Sequence, residues 1–325
     1  MSALDVANRR GIRLIALAMA AFVLNDSLVK HVSESLPAGQ LICVRSLVAS
    51  TLAVLVIVGP ERARMAAASG GDTGGAAPGF GALLHRYVLA RAAIDAVGST
   101  LYLYALFHLP IANATAINLA SPLFITLLAV VLVKERVGVD RWLATGVGFA
   151  GVLAIIQPAT EGFNEFALIA LGATLLHAIR DVMTRFIPPG IPASIVMLAN
   201  SISVALFAGA WSLVQGWAPM SWRQFGLLGL AAVLVATGYW LLIRAMRVGE
   251  LSVIAPFRYS ALLWALLIGF VVWGNLPNLL AWIGIGLLVG AGLYLFWTDR
   301  LRRRRAADAT ARADAAMARP RSHPD

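Results

Sequence analysis

The stretch FVLNDSLVKH, Phe22 to His31, closes the first long apolar run of the chain, yet it carries Asn25, Asp26 and Lys30. The arrangement returns as HAIRDVMTRF, His177 to Phe186. In each, an Asp stands four residues before a base: Asp26 before Lys30, Asp181 before Arg185. On a helix that spacing puts both groups on one face. A charge inside hydrocarbon costs from roughly 3 to more than 10 kcal/mol, so it must face protein or water. Two such pairs, at matching points of two apolar runs, raise the question of a duplicated membrane protein with a polar interior.

Composition answers the first half of that question. The 325 residues are 60% hydrophobic and 13% charged, with mean hydropathy +0.80. Soluble domains are nearer half apolar and a quarter charged. Apolar runs near the length of a membrane-spanning helix recur throughout. The net charge of +10 does not point to nucleic acid, because the bases punctuate the ends of apolar runs and gather in the tail, as topology determinants do. One cysteine, Cys43, excludes an internal disulfide or a cysteine metal cluster. The long first run, with Asn25 and Asp26 inside it, reads as an uncleaved helix rather than a signal peptide.

Ten spans are expected, near 14–32, 40–58, 87–107, 113–133, 141–157, 166–186, 193–214, 224–245, 252–273 and 279–297. Before them lies a cytoplasmic N-terminus, 1–11. The first five fill a repeat at 12–158, with a flexible Gly/Ala-rich loop at 60–85, and the second five a repeat at 159–297. The basic tail, 298–325, has no apolar face and reads as disordered, with anionic lipid as a second role. With the N-terminus inside, the inner loops collect nearly all the bases and the outer ends only Lys30 and Arg223, so both termini are expected in the cytoplasm. Shifted by 155, Asp26 meets Asp181, Lys30 meets Arg185, Pro37 meets Pro192 and Ser46 meets Ser201. A shift of 140 brings Gly98 onto Gly238, and a shift of 139 brings Gly151 onto Gly290. Five helices per copy is odd, so the copies run in opposite senses, as in transporters with a midplane site between inverted halves.

The segment SPLFITLLAVVLVKERVGVDRWLATGVGFAGVLAIIQP, Ser121 to Pro158, resembles the end of an EamA domain of the drug/metabolite transporter superfamily. RYSALLWALLIGFVVWGNLPNLLAWIGIGLLVGAGLY, Arg258 to Tyr294, is similar to the second EamA copy. The family's Gly-Glu-x-Pro turn is here Gly274-Asn275-Leu276-Pro277, with Asn275 in place of Glu. The resemblance implies an all-α membrane protein of ten helices in two inverted five-helix repeats. It implies a multi-pass protein of the bacterial inner membrane, whose partners are a small-molecule substrate and the bilayer. Around RYSALLW the chain also resembles members associated with S-adenosylmethionine or riboflavin uptake.

Each candidate residue has a bland reading beside the functional one. Asp26 with Lys30 and Asp181 with Arg185 form gates, or ion pairs that neutralise themselves while the bases snorkel. From Leu14 to Asp26 is roughly 18 Å, and from Phe166 to Asp181 roughly 22 Å, so one Asp lies toward each mouth. Arg91 and Asp95 form a third pair, for substrate or for helix packing. Arg45 corresponds to Asn200, and Arg258 to Asn118; Arg258 with Tyr259 suits a carboxylate or a ring. Asn25 joins the first pair. Asn113, Thr115, Asn118 and Ser121 precede Pro122, where freed backbone lines a cavity or bonds to neighbouring helices. His177 is a proton relay or a packed side chain. The glycines of the last helix of each half, Gly146, Gly148, Gly151, Gly284, Gly286, Gly290 and Gly292, read as packing within or between subunits, which leaves a homodimer open. Glu135 reads as a helix-end residue.

These features favour a secondary transporter of an amino acid, vitamin, nucleoside-like compound or drug, with protons as one candidate coupling ion. A membrane sensor or scaffold of the same fold is the alternative. No catalytic set, metal cluster or nucleotide-binding loop is present in the sequence, so no enzyme, cofactor or metal is expected.

Overall fold

The computed structural model describes residues 3–58, 80–133, 138–157, 164–248 and 251–317, which form helices and turns with no strand among them. The helices are α1 (Ala3–Ser33), α2 (Ala38–Leu52), α3 (Arg86–His108), α4 (Ile111–Asn118), α5 (Ser121–Val133) and α6 (Val139–Ile156). They continue as α7 (Phe166–Met183), α8 (Ala193–Gln215), α9 (Trp222–Val248), α10 (Leu251–Ile254), α11 (Ser260–Trp273) and α12 (Leu279–Met317). Nine stretches among the described residues are long and apolar enough to cross a membrane. α3 is long enough but carries Arg91 and Asp95, which lower its hydropathy.

The expected spans coincide with these helices, and the differences have local causes. The fourth span is two helices, because Pro122 has no N–H to continue the ladder past α4. The ninth is broken in the same way by a 3₁₀ turn, Ala255–Tyr259, around Pro256. α1 begins eleven residues before the expected start, with Arg9, Arg10 and Arg13 turned outward. α12 runs on to Met317, past the expected end of order at 297, since the Ala- and Arg-rich stretch is made of strong helix formers. Most of the 60–85 loop, and Glu135, lie outside the described residues.

The most extensive pairings are α1 with α9, α3 with α7, α2 with α8 and α6 with α12. Pro37 and Pro192, matched in the sequence, stand at the N-caps of α2 and α8 with similar backbone angles. Gln40 clasps the end of α8, exchanging hydrogen bonds of 2.9 Å with both backbone groups of Ala218. Gly98 lies against Leu176 and His177 of α7, and its match Gly238 lies against Phe22 of α1. The 155-residue shift carries Phe22 onto His177, so the two contacts correspond. The glycines of α6 and α12 divide into two sets. A methyl on Gly151 would fall 2.6 Å from Gly284 O, and one on Gly284 2.5 Å from Gly151 O, so the two backbones touch. Gly286 and Gly290 face open space, as does Gly146. Gly151 therefore pairs spatially with Gly284, not Gly290, because the fourth helical residue after 286 turns away from α6.

Candidate functional site

α3 carries the polar axis. Asp95, Gly98 and Tyr102 follow one another at spacings of three and four, on the stripe that faces α1 and α7. Asp95 and Tyr102 are thus about 10 Å apart along the helix, each at the centre of a polar cluster.

Toward the Lys30 end, Tyr102 donates its hydroxyl to Asp26 Oδ2 at 3.1 Å. Asn25 Nδ2 donates to Asp26 Oδ1 at 2.9 Å, and Arg45 Nη1 donates to Asn25 Oδ1 at 3.2 Å. The carboxylate is so bonded from α1 and α3, and linked to α2 through Asn25. Asn25 and Tyr102 are buried.

Toward the opposite end, Arg180 bridges two carboxylates. Its Nη1 bonds Asp95, and its Nε and Nη2 reach Asp181 Oδ1 at 3.0 and 2.9 Å. Ser99 adds a hydrogen bond to Asp95 at 3.4 Å. Arg91 donates to Thr184 Oγ1 and to Asn200 Oδ1, both at 2.8 Å. Between the clusters lies His177, 6.0 Å from the Tyr102 ring. Its Nδ1 is 3.0 Å from Asn118 Oδ1, and its buried Nε2 has no hydrogen-bond partner. Tyr239 of α9 stands edge-on to Phe22 at 5.0 Å.

The structure therefore rearranges the expected pairs. Asp26, Asn25 and Arg45 come together, as do Asp95 and Asp181, with Asn118 near the midpoint. Lys30 does not pair with Asp26: its ammonium is bound by the carbonyls of Leu106, Phe107 and Leu109 at 2.7, 3.1 and 2.7 Å. These are the acceptors that the C-terminus of α3 leaves unpaired, and they carry the negative end of its dipole. Arg91 and Asp95 share a helix face, but each bonds across to α7 or α8 rather than to the other. Arg185 sits exposed in the 3₁₀ turn that ends α7. Arg258 is exposed in the turn before α11, away from both clusters, while Tyr259 beside it is buried with an unpartnered hydroxyl. The sequence reading missed Tyr102 and Arg180 as site residues. Arg180 adjoins Asp181 and was within reach; Tyr102 has no charge to mark it.

Two cavities open at the Lys30 end, of about 290 and 260 Å³. The larger is lined by the start of α4, the end of α6 and the turn Asn275–Asn278, so it lies outside the charged clusters.

Residues 9–157 and 165–298 each match the EamA-like transporter family, and the chain belongs to that family. It is a multi-pass protein of a bacterial cell membrane and a transporter rather than an enzyme. Among curated proteins it is 28% identical over 214 residues to the riboflavin transporter of Brucella anthropi, covering 64% of this chain and 75% of that one. It is 26% identical over 204 residues to the S-adenosylmethionine uptake transporter of Rickettsia prowazekii, covering 62% and 69%. To the pseudopaline exporter CntI of Pseudomonas aeruginosa it is 26% identical over 298 residues, covering 90% and 98%. A solved crystal structure with 17% identity shares the fold, with a TM-score of 0.53 over 90% of this chain and 97% of that one.

Proposed function

We propose that this chain is a secondary transporter of a small heteroaromatic metabolite, of the flavin or nucleoside-like class, working by alternating access. Its two five-helix halves run in opposite senses across the membrane, with both termini in the cytoplasm. Two separate family matches, one per half, support the duplication. So does the pattern of helix pairing: α1 against α9 corresponds to α7 against α3 when the halves are exchanged, while α2–α8 and α6–α12 map onto themselves. The broken helices in the fourth and ninth positions are a further support, since discontinuous helices line the binding sites of such transporters.

The observation that carries the reading is Asp26, a carboxylate in a membrane-spanning helix bonded to Tyr102 of α3 and linked through Asn25 to Arg45 of α2. An ionisable group so placed, tied to two other helices, can exchange partners as the helices part. It is also the proton carrier of the proposal. Relatives that carry riboflavin and S-adenosylmethionine support a ring-bearing substrate, as do Phe22, Tyr102, His177 and Tyr239 around the axis.

The test is uptake of labelled riboflavin and S-adenosylmethionine into cells that lack their own carriers. Asp26→Asn at normal membrane abundance should reduce transport by at least tenfold and abolish its response to a proton gradient. Undiminished, gradient-sensitive transport by Asp26→Asn would sink the assignment.

A further inference from the structure

The four carbonyls from Leu106 to Leu109 end α3, and side chains from other helices and turns take them all. Lys30 Nζ donates to those of Leu106, Phe107 and Leu109, and Asn164 Nδ2 donates to that of His108 at 2.9 Å. Pro110 follows and has no N–H, so the helix cannot continue and its end depends on these partners. Lys30 is only 8% exposed, yet every hydrogen bond of its ammonium goes to an uncharged oxygen. A buried cation held by dipoles alone, with no opposite charge in contact, is held weakly for the water it has given up.

A second partner stands one turn away. Glu34 lies four residues on, just past the end of α1, and its carboxylate acts on the ammonium through space. Its side chain is 59% exposed and accepts the Trp273 indole N–H at 3.4 Å. The Trp273 ring lies 5.9 Å from the ammonium. Lys30, Glu34, Phe107 and Trp273 all line the second cavity, so the contact borders open space. The opposite end of the molecule is built differently. The 155-residue shift sets Arg185 against Lys30, but α7 stops at Met183 and Arg185 stands in the turn beyond it, whereas Lys30 stays inside α1. α1 packs on α3, and among the described residues α7 makes no comparable packing on α9, its matched partner.

We infer that Lys30 is a latch. With its ammonium on the end of α3 it holds α1 and α3 together and keeps the mouth at that end shut. The mouth opens when the ammonium leaves the three carbonyls for the Glu34 carboxylate, so the element has two arrangements with a partner for the cation in each. The inference rests on the alternating-access reading above and names the contact that regulates one of its two mouths.

The experiment follows maleimide labelling of the purified full-length protein in lipid nanodiscs, with Val29→Cys on a Cys43→Ala background. Val29 is 0% exposed and lies three residues after Asp26, on the face of α1 that meets α3, so parting of the two helices uncovers it. Lys30→Met removes the charge and should speed labelling at position 29 at least about tenfold, the worth of one hydrogen bond to a charged group. Ala208→Cys, equally buried on α8, should stay unreactive whether or not Lys30 is replaced. Glu34→Gln alters an exposed side chain and removes the second partner. It should slow labelling at position 29 about two- to fivefold, the range of an exposed ion pair, with the melting temperature unchanged. An unchanged rate at position 29 in Lys30→Met overturns the latch. So does an equal rise at position 208, which marks general loosening of the fold. Labelling of Glu34→Gln that is no slower than the parent overturns the exchange of partners, even where Lys30→Met fails to fold. The readout needs neither substrate nor a choice of membrane side, so the latch can fail while the transport assignment, tested by uptake, still stands.

Discussion

Asp95 and Arg180 face each other with side chains 5% and 19% exposed. Removing one member of a buried pair strands the other, at a cost of about 3–5 kcal/mol. Arg180→Gln and Asp95→Asn should each lower the melting temperature by several degrees in detergent. The double variant should recover the part of the loss that comes from stranding Asp95, while Asp181 still lacks its Arg180 partner. Additive losses would show that the pair is not coupled. At this scale the sequence was legible wherever a charge interrupted an apolar run, which is how Asp26, Asp95 and Asp181 were found. Partners were harder to read. An i, i+4 spacing says which face of a helix a group occupies, but the helix packed opposite decides what it bonds. Lys30 finds the carbonyls of Leu106, Phe107 and Leu109, and Arg180 reaches across to Asp95. Tyr102 is ordinary in a membrane helix and becomes conspicuous only once Asp26 lies 3.1 Å away.

Among the elements, α6 and α12 meet backbone to backbone at Gly151 and Gly284. Gly284→Leu should therefore reduce the yield of folded protein and its melting temperature, since the side chain would enter the backbone of Gly151. Gly286→Leu, on the outward face of the same helix, should be tolerated. Equal damage from both would mean that the outward face is also packed. Lys30→Met leaves three carbonyls at the end of α3 without their cation. It should loosen that end, seen as faster hydrogen exchange in the last turn of α3 and in the last turn of α1. Helix positions were legible from apolar runs; near Pro122 the sequence reading expected freed backbone within one span, where the structure has two helices. The continuation of α12 was not legible, because a lack of apolar face was read as a lack of helix, while Ala and Arg favour helix by propensity.

For the whole molecule, orientation is open to a direct test. Cys43 is the one cysteine and is buried, so Cys43→Ala provides a clean background. Asn113→Cys on that background should react with a membrane-impermeant maleimide in intact cells, and Arg185→Cys only after lysis. The reverse pattern would invert the proposed topology. The order of matched residues, from Asp26 with Asp181 to Gly98 with Gly238, was enough to suggest two copies. Which helices of the two copies touch was not readable, because a repeat in the chain does not state the axis that relates its halves in space.

The contact of Gly151 with Gly284 bears on how such a molecule can move. Backbone meets backbone there, and Ala154, Ile155, Leu287 and Leu288 stand immediately beside the crossing. Sliding either helix by one turn would drive a side chain into a gap that admits only hydrogen. The two helices are thus denied translation along each other and keep only a slight rocking about the point where they cross. They form a fulcrum, and in the proposed alternating-access cycle the travel that opens one mouth and shuts the other would fall to the helices that carry Asp26, Asp95 and Arg180.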